Sequence, residues 1–236
     1  MVNEHFITEH IATLKSCVID ASKEIMDVYE SDDFGEINKS DGSPLTLADK
    51  RANELILERL KSISSSIPVI SEETFNQDCL SNLEDVYWSV DPFDGTKEFS
   101  EPPRDDWAVH VALAIDGFPI AGAVAIPELS LIFSTRDDFL VQSYSTNKEE
   151  VRIALSRSRP PSEASLVVNE FEGTLVEMGS AGAKAMAVVR GEVDMYIHSG
   201  GQDEWDNCAP AAVAAAAAAC TAISAMQPAG GGVQKM

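Results

Sequence analysis

Apolar residues recur at helical intervals across residues 4–29 (Ile7, Ile11, Leu14, Val18, Ile25), which predicts a long amphipathic helix. Residues 31–43 are polar and acidic and predict a loop or hairpin. A second helix opens at Thr46-Leu47-Ala48-Asp49, with Ala52, Leu55, Ile56 and Leu60 on one face. The pattern then changes to short apolar runs. Residues 67–70 and 86–90 read as buried strands, and the second runs straight into Asp91. Residues 107–115, 120–126 and 131–135 predict an antiparallel meander, punctuated by Asp116-Gly117 and Pro127.

A polar stretch at 144–150 is the candidate linker. After it, residues 151–156, 175–178 and 193–198 read as strands, 182–190 as a helix and 208–222 as an alanine-rich helix. Residues 228–236 carry three consecutive glycines and predict a frayed end. The division that follows is an N-terminal α+β domain over 1–147, with two helices and an antiparallel sheet, and a C-terminal α/β domain over 148–236.

With 236 residues the chain can bury a sizeable core. Its net charge of −22 argues against nucleic acid or an anionic membrane as a partner. The same charge would repel a phosphate, unless bound cations neutralise some of the carboxylates. Cys17, Cys79, Cys208 and Cys220 are scattered, with no zinc-ligand spacing, and predict a reducing, cytoplasmic setting. No secretory leader pattern opens the chain. The alanine tract at 209–222 is too short and too weakly apolar for a membrane span.

The most informative stretch is Asp91-Pro92-Phe93-Asp94-Gly95-Thr96. Two carboxylates three residues apart suit a hard divalent cation, and a glycine followed by a hydroxyl suits a phosphate. Asp, Pro and Gly are also ordinary turn residues, so both readings stand on this stretch alone. Glu72 and Asp206 likewise end or begin apolar elements, and with Asp91 and Asp94 they form a set able to hold Mg²⁺. Taken singly, Asp206 is equally a helix cap and Asp49 a first-turn helix residue. An Asp49–Thr96 pair could orient an attacking water. Gly179-Ser180-Ala181-Gly182-Ala183-Lys184 is not a Walker A loop, but it can offer N–H groups to a phosphate or simply pack a strand on a helix. Arg104 can present a guanidinium to a second phosphate or lie on the surface.

In this order, Leu45-Thr46-Leu47-Ala48-Asp49, Ser71-Glu72-Glu73, the Asp91 to Thr96 turn, Gly179-Ser180-Ala181-Gly182 and Trp205-Asp206 resemble the inositol monophosphatase superfamily. Lys97-Glu98-Phe99, Arg104-Asp105-Asp106-Trp107-Ala108-Val109-His110 and the segment from Gly179 to Met186 are similar to its CysQ branch of 3′(2′),5′-bisphosphate nucleotidases, the actinobacterial members above all. The resemblance implies a layered α-β-α-β-α sandwich and hydrolysis of 3′-phosphoadenosine 5′-phosphate to AMP and phosphate. It implies two or three Mg²⁺ ions held by Glu72, Asp91, the Phe93 carbonyl, Asp94 and Asp206. Asp49, Thr96 and Glu72 would act on the attacking, metal-activated water. Gly95, Thr96, Arg104, Gly179, Ser180 and Lys184 would meet the substrate. Inhibition by lithium follows from the same likeness, and the expected partner is a small phosphorylated nucleotide, with a homodimer as the candidate assembly.

Two departures from the family pattern shape the expectation. Where inositol phosphatases place a glutamate seven residues before the last metal aspartate, this chain has Ser199, which favours a nucleotide over inositol. After Trp205-Asp206 the sequence turns alanine-rich and then glycine-rich, so the last C-terminal strand and helix of the family are expected to be missing, leaving a sheet edge open. The alternatives to the nucleotidase are an inositol or sugar phosphatase of the same superfamily, and a non-catalytic metal-binding protein.

Overall fold

The computed structural model describes residues 4–31, 34–35, 37–38, 44–76, 85–137 and 150–217. Cys79, Cys220, linker residues 144–149, residues 218–222 of the alanine tract and the glycine-rich end lie outside the described residues. Helix α1 (Glu4–Glu30) buries Ile11, Leu14, Val18 and Ile25 on one stripe, as the spacing demands. Residues 37–38 (β1) and 44–45 (β2) pair antiparallel. Helix α2 (Leu47–Ile63) then buries Ala48, Ala52, Ile56 and Leu60, four apart, in the same cluster.

Five strands follow: β3 (Val69–Ser71), β4 (Val86–Asp94), β5 (Ala108–Ile115), β6 (Phe118–Ile126) and β7 (Leu131–Ser134). They form one sheet in that order, with β3 parallel to β4 and the rest antiparallel. A four-residue helix, α3 (Thr96–Phe99), sits between β4 and β5. The two-residue period of a strand, with both faces covered, explains why β5 is apolar apart from His110. Val109, Val111 and Leu113 face α1 and α2, while Ala108, Ala112 and Ala114 face the opposite layer.

That opposite layer holds α5 (Ala181–Val189) and α6 (Glu204–Ala216). The alanine-rich composition of α6 has a packing reason. A Cβ on Gly122 of β6 would lie 3.0 Å from the Ala209 Cα, so helix and sheet approach closely only because both surfaces are small. Beyond these helices lies a parallel sheet with the order β10-β8-β9: β8 (Arg152–Ser156), β9 (Thr174–Met178) and β10 (Met195–Tyr196). Its far face packs on α4 (Ala164–Phe171) through Ile153, Leu155 and Ala164. The layers therefore run α-β-α-β-α. The cluster between the two sheets joins Ile70, Tyr87 and Val124 to Ala154, Met186 and Val213, residues from both sides of position 147.

Several elements differ from the sequence reading. Helix α4 went unrecognised although Ala164, Val167 and Val168 turn one face to Ile153 and Leu155: it is only eight residues long, and the exposed Leu166 blurs the contrast between its faces. Strand β10 is shorter than 193–198, because after the Ile197 N–H bond to the Ala154 carbonyl the chain leaves the sheet to line a cleft. Helix α6 begins at Glu204, earlier than the alanine run, because Asp203 and Asp206 cap it. Among the described residues no helix is long and apolar enough to cross a membrane.

Candidate active site

Strand β4 delivers two carboxylates to one face by breaking its own rhythm. Residues three apart on a regular strand point to opposite faces. Between Asp91, opposite His110, and Asp94, opposite Ala108, β4 carries one residue more than β5, and this bulge turns both carboxylates to the same side. His110, fully buried, lies against both, with Nδ1 3.8 Å from Asp91 Oδ2 and Nε2 3.6 Å from Asp94 Oδ2. The Phe93 N–H donates to Asp91 Oδ1 at 3.0 Å and holds the bulge closed.

Other elements bring the remaining acids. The Glu72 N–H donates to the Val90 carbonyl at 3.1 Å, which sets Glu72 at the end of β3 beside Asp91. Asp206, in the first turn of α6, accepts the Asp203 N–H at 2.6 Å, so the capping role and a site role coexist in one carboxylate. Asp94 Oδ2 accepts the Ser180 hydroxyl at 2.6 Å and the Gly182 N–H at 3.2 Å, at the start of α5. Ser180 also caps that helix by accepting the Ala183 N–H.

Thr96 and Asp49 meet as expected. Asp49 Oδ2 accepts both the N–H and the hydroxyl of Thr46, at 2.7 and 2.6 Å. Its other oxygen stands 3.1 Å from the Thr96 hydroxyl, which is also 3.2 Å from the Phe93 carbonyl. Gly95 makes this turn possible. Its φ is +100°, and a Cβ there would strike Trp107 at 2.9 Å.

Glu72, Asp91, Phe93, Asp94, Gly95, Thr96, Gly179, Lys184 and Asp206 line a common cleft of about 430 Å³. Three expected residues stand elsewhere. Asp49 and Ser180 lie behind the wall, bonded to Thr96 and Asp94. Arg104 is turned into a two-point pair with Asp106 and is not among the lining residues, because a neighbouring carboxylate satisfies its guanidinium. Lys184 reaches the cleft, but its ammonium donates to the Gly179 and Ser180 carbonyls, and burial lowers its pKa to about 8. It stiffens the turn as well as lining the wall.

The sequence reading missed His110, Glu98, Arg159, Tyr196, His198 and Gln202 at or beside the cleft. Strand alternation from Ala108 and Ala112 was the available signal for His110. The position of Arg159 just past a strand of the second sheet was the signal for that residue.

The donor set fits a hard cation. Ligand atoms of Asp91, Asp94 and His110 lie within 4.8 Å of one another. Burial, and then the charges of Glu72, Asp94 and Asp206, push the Asp91 carboxyl well above the usual range. Burial, followed by the Asp94 charge, pushes Asp206 up to about 8. Crowded, desolvated carboxylates of this kind are satisfied by protons or by Mg²⁺-like ions. Asp49 is raised to about 6, chiefly by burial and against the Thr46 hydrogen bonds.

Comparison with known proteins finds relatives of this chain. A 3′-phosphoadenosine 5′-phosphate phosphatase of Mycobacterium bovis is 44% identical over 176 residues, covering 70% of this chain and 64% of that protein. The match thus spans less than two thirds of that relative's length. The 3′(2′),5′-bisphosphate nucleotidase CysQ of Escherichia coli K12 is 30% identical over 209 residues, 84% of each chain. The crystal structure of CysQ from Bacteroides thetaiotaomicron, described as a bacterial member of the inositol monophosphatase family, superposes with a TM-score of 0.73 at 25% identity, covering 91% of this chain and 88% of that one. The sequence profile of the inositol monophosphatase family matches residues 7–228. With the family profile matched over nearly the whole chain, this chain belongs to the inositol monophosphatase family.

Proposed function

We propose that the chain is a Mg²⁺-dependent phosphatase that converts 3′-phosphoadenosine 5′-phosphate to AMP and phosphate. One observation carries the reading: Glu72, Asp91, Asp94 and Asp206 converge on a cleft that also presents Gly95 and Thr96, with Asp49 bonded to the Thr96 hydroxyl. The relatives named for this activity support the choice of substrate. Ser199 on the cleft wall offers a small hydroxyl and no carboxylate to a polyol.

Glu72, Asp91, Asp94, Asp206 and the Phe93 carbonyl would hold two or three Mg²⁺ ions. When bound, such ions neutralise the carboxylates, polarise the phosphoryl oxygens and acidify water. The chain's own part is positional. Asp49 Oδ1 takes the Thr96 hydroxyl proton, which leaves a Thr96 Oγ1 lone pair to accept a proton from the attacking water. Gly95 keeps bare backbone at the position where the scissile phosphate lies, and the bulge fixes Asp91 and Asp94 beside it. Water then displaces the 3′-oxygen in line. The scattered spacing of the cysteines supports a cytoplasmic setting, and burial pushes the Cys17 and Cys208 thiols up to about 12, which disfavours the reactive thiolate at both.

The test is phosphate release with and without Mg²⁺, and with lithium added, from the bisphosphorylated nucleotide, inositol 1-phosphate and fructose 1,6-bisphosphate. The expected order puts the nucleotide first. If it is the poorest of the three, the substrate assignment fails. If none releases phosphate with Mg²⁺, the phosphatase reading fails.

A further inference from the structure

In the second sheet β8 lies between β10 and β9, and all three strands are parallel. From β8 the chain passes to β9 on one side, then returns across the sheet to β10 on the other. β8 and β10 are parallel neighbours, so the crevice between the loops that follow them opens at the carboxyl edge of the sheet. Open parallel sheets bind ligands in such a crevice. Here Arg159 follows β8 and the segment from His198 to Gln202 follows β10, and both line the same cleft as the acidic cluster.

The crevice is polar and incompletely bonded. The Gly200 N–H donates to His198 Nδ1 at 3.3 Å, which places the proton of the neutral ring on Nε2. That Nε2 and the Gln202 Oε1 have no hydrogen-bond partner, although the Gln202 amide nitrogen donates to the Tyr196 hydroxyl. A polar ligand would satisfy both groups.

The cations of the cleft divide clearly. Lys184 is spent on two carbonyls, and Lys97 adjoins Thr96 on the side of the acids. Outside the cleft, Arg104 is paired with Asp106, and Arg157 with Glu98 and Glu101. Arg159 differs. Its Nη1 donates to the Gly201 carbonyl at 3.3 Å, a bond that joins the two loops and uses one of five N–H donors. Among the described residues no carboxylate pairs with it.

We propose that Arg159, in the crevice between the loops after β8 and β10, binds the second, non-scissile phosphate of a bisphosphorylated nucleotide. The assignment rests on the phosphatase reading above and gives Arg159 the role that the sequence reading gave Arg104. A planar guanidinium suits two-point binding of a phosphate. Its distance in sequence and layer from the acids lets one group be cleaved while the other anchors.

The test compares the intact chain with Arg159→Ala and Arg104→Ala on two substrates, 3′-phosphoadenosine 5′-phosphate and adenosine 3′-phosphate, which lacks the 5′-phosphate. Arg159 is exposed, so folding is checked simply by an unchanged Tm. The expected result is a loss of about tenfold or more in kcat/KM for the bisphosphate with Arg159→Ala, carried by KM, and a change below twofold for adenosine 3′-phosphate. Inhibition by AMP should weaken in parallel, and inhibition by adenosine should not. Equal losses on both substrates, no loss on either, or a selective loss with Arg104→Ala in its place would overturn the proposal. So would a parent protein that turns over both substrates equally well, an outcome that leaves the phosphatase reading intact. A parent that releases no phosphate from either substrate removes both readings.

Discussion

The Thr96 hydroxyl lies 3.1 Å from Asp49 Oδ1, and the other Asp49 oxygen is fully engaged by Thr46. A capping box that would ordinarily only start a helix thus leaves one carboxylate oxygen facing the cleft residue. Thr96→Val removes the hydroxyl at constant volume. It should lower kcat by about 100-fold or more, the scale of a lost proton-transfer group, with little change in Tm. Thr96→Ser should retain most of the activity. Steady-state phosphate release checks this, and a valine variant within twofold of the parent would remove the pair from the mechanism.

Asp91→Asn should move function and stability in opposite directions. The amide keeps the acceptor for the Phe93 N–H but withdraws one charge from a buried, mutually repelling set. Mg²⁺ affinity, measured by calorimetric titration, should fall at least tenfold, and phosphate release should be lost. The Tm of the metal-free variant should rise above that of the metal-free parent. A lower Tm would mean that repulsion among these acids is not a significant cost of folding.

Stability of the metal-free protein should depend on pH with a definite sign. Asp49 is raised from 3.8 to about 6 and Asp206 from 3.8 to about 8. Between pH 4 and these values the folded state binds more protons than the unfolded chain, so stability falls as pH rises. For Asp49 the cost is on the order of 3 kcal/mol once ionised. Thermal melts in chelator should show a lower Tm at pH 8 than at pH 5.5. Added Mg²⁺ should raise Tm more at pH 8, because binding has fewer protons to displace. Equal Mg²⁺ shifts at the two pH values would contradict the linkage.

Gly95→Ala should act through the backbone. A methyl group would meet the Trp107 Cβ at 2.9 Å on a residue whose φ is +100°. The combined strain and overlap should cost about 2 kcal/mol or more, a Tm loss of roughly 5 °C in a domain of this size. Activity should fall further than stability requires, since the turn carries Asp94 and Thr96 together. A variant with parental Tm and kcat would show that the turn relaxes freely.

Much of the fold was legible because its elements are amphipathic or uniformly apolar. The stripe of Ile11, Leu14, Val18 and Ile25 specified α1, and the four-residue spacing from Ala48 to Leu60 specified α2. Helix α4 went unread although Ala164, Val167 and Val168 keep helical spacing, since the element is only eight residues long and its outer layer leaves the apolar Leu166 exposed on the other side. The shortness of β10 was hidden too, because pairing with β8 and departure toward the cleft depend on a partner strand far away in sequence.

At the site, residue chemistry alone determined which groups could act: clustered acids at the ends of apolar elements, a Gly-Thr pair, and an aspartate in a first helical turn. Those facts are local, and a sequence carries them. Tertiary structure decided which of these groups share one space. The bulge opposite His110 and Ala108 turns Asp91 and Asp94 to one face, where strict alternation would have separated them. Asp106 takes Arg104 out of reach of the cleft, and the parallel pairing of β8 with β10 brings Arg159 and the segment after β10 to its wall. Strand register and ion pairing are long-range choices, set by which partner satisfies a backbone or a charge first, and no single stretch of the chain records them.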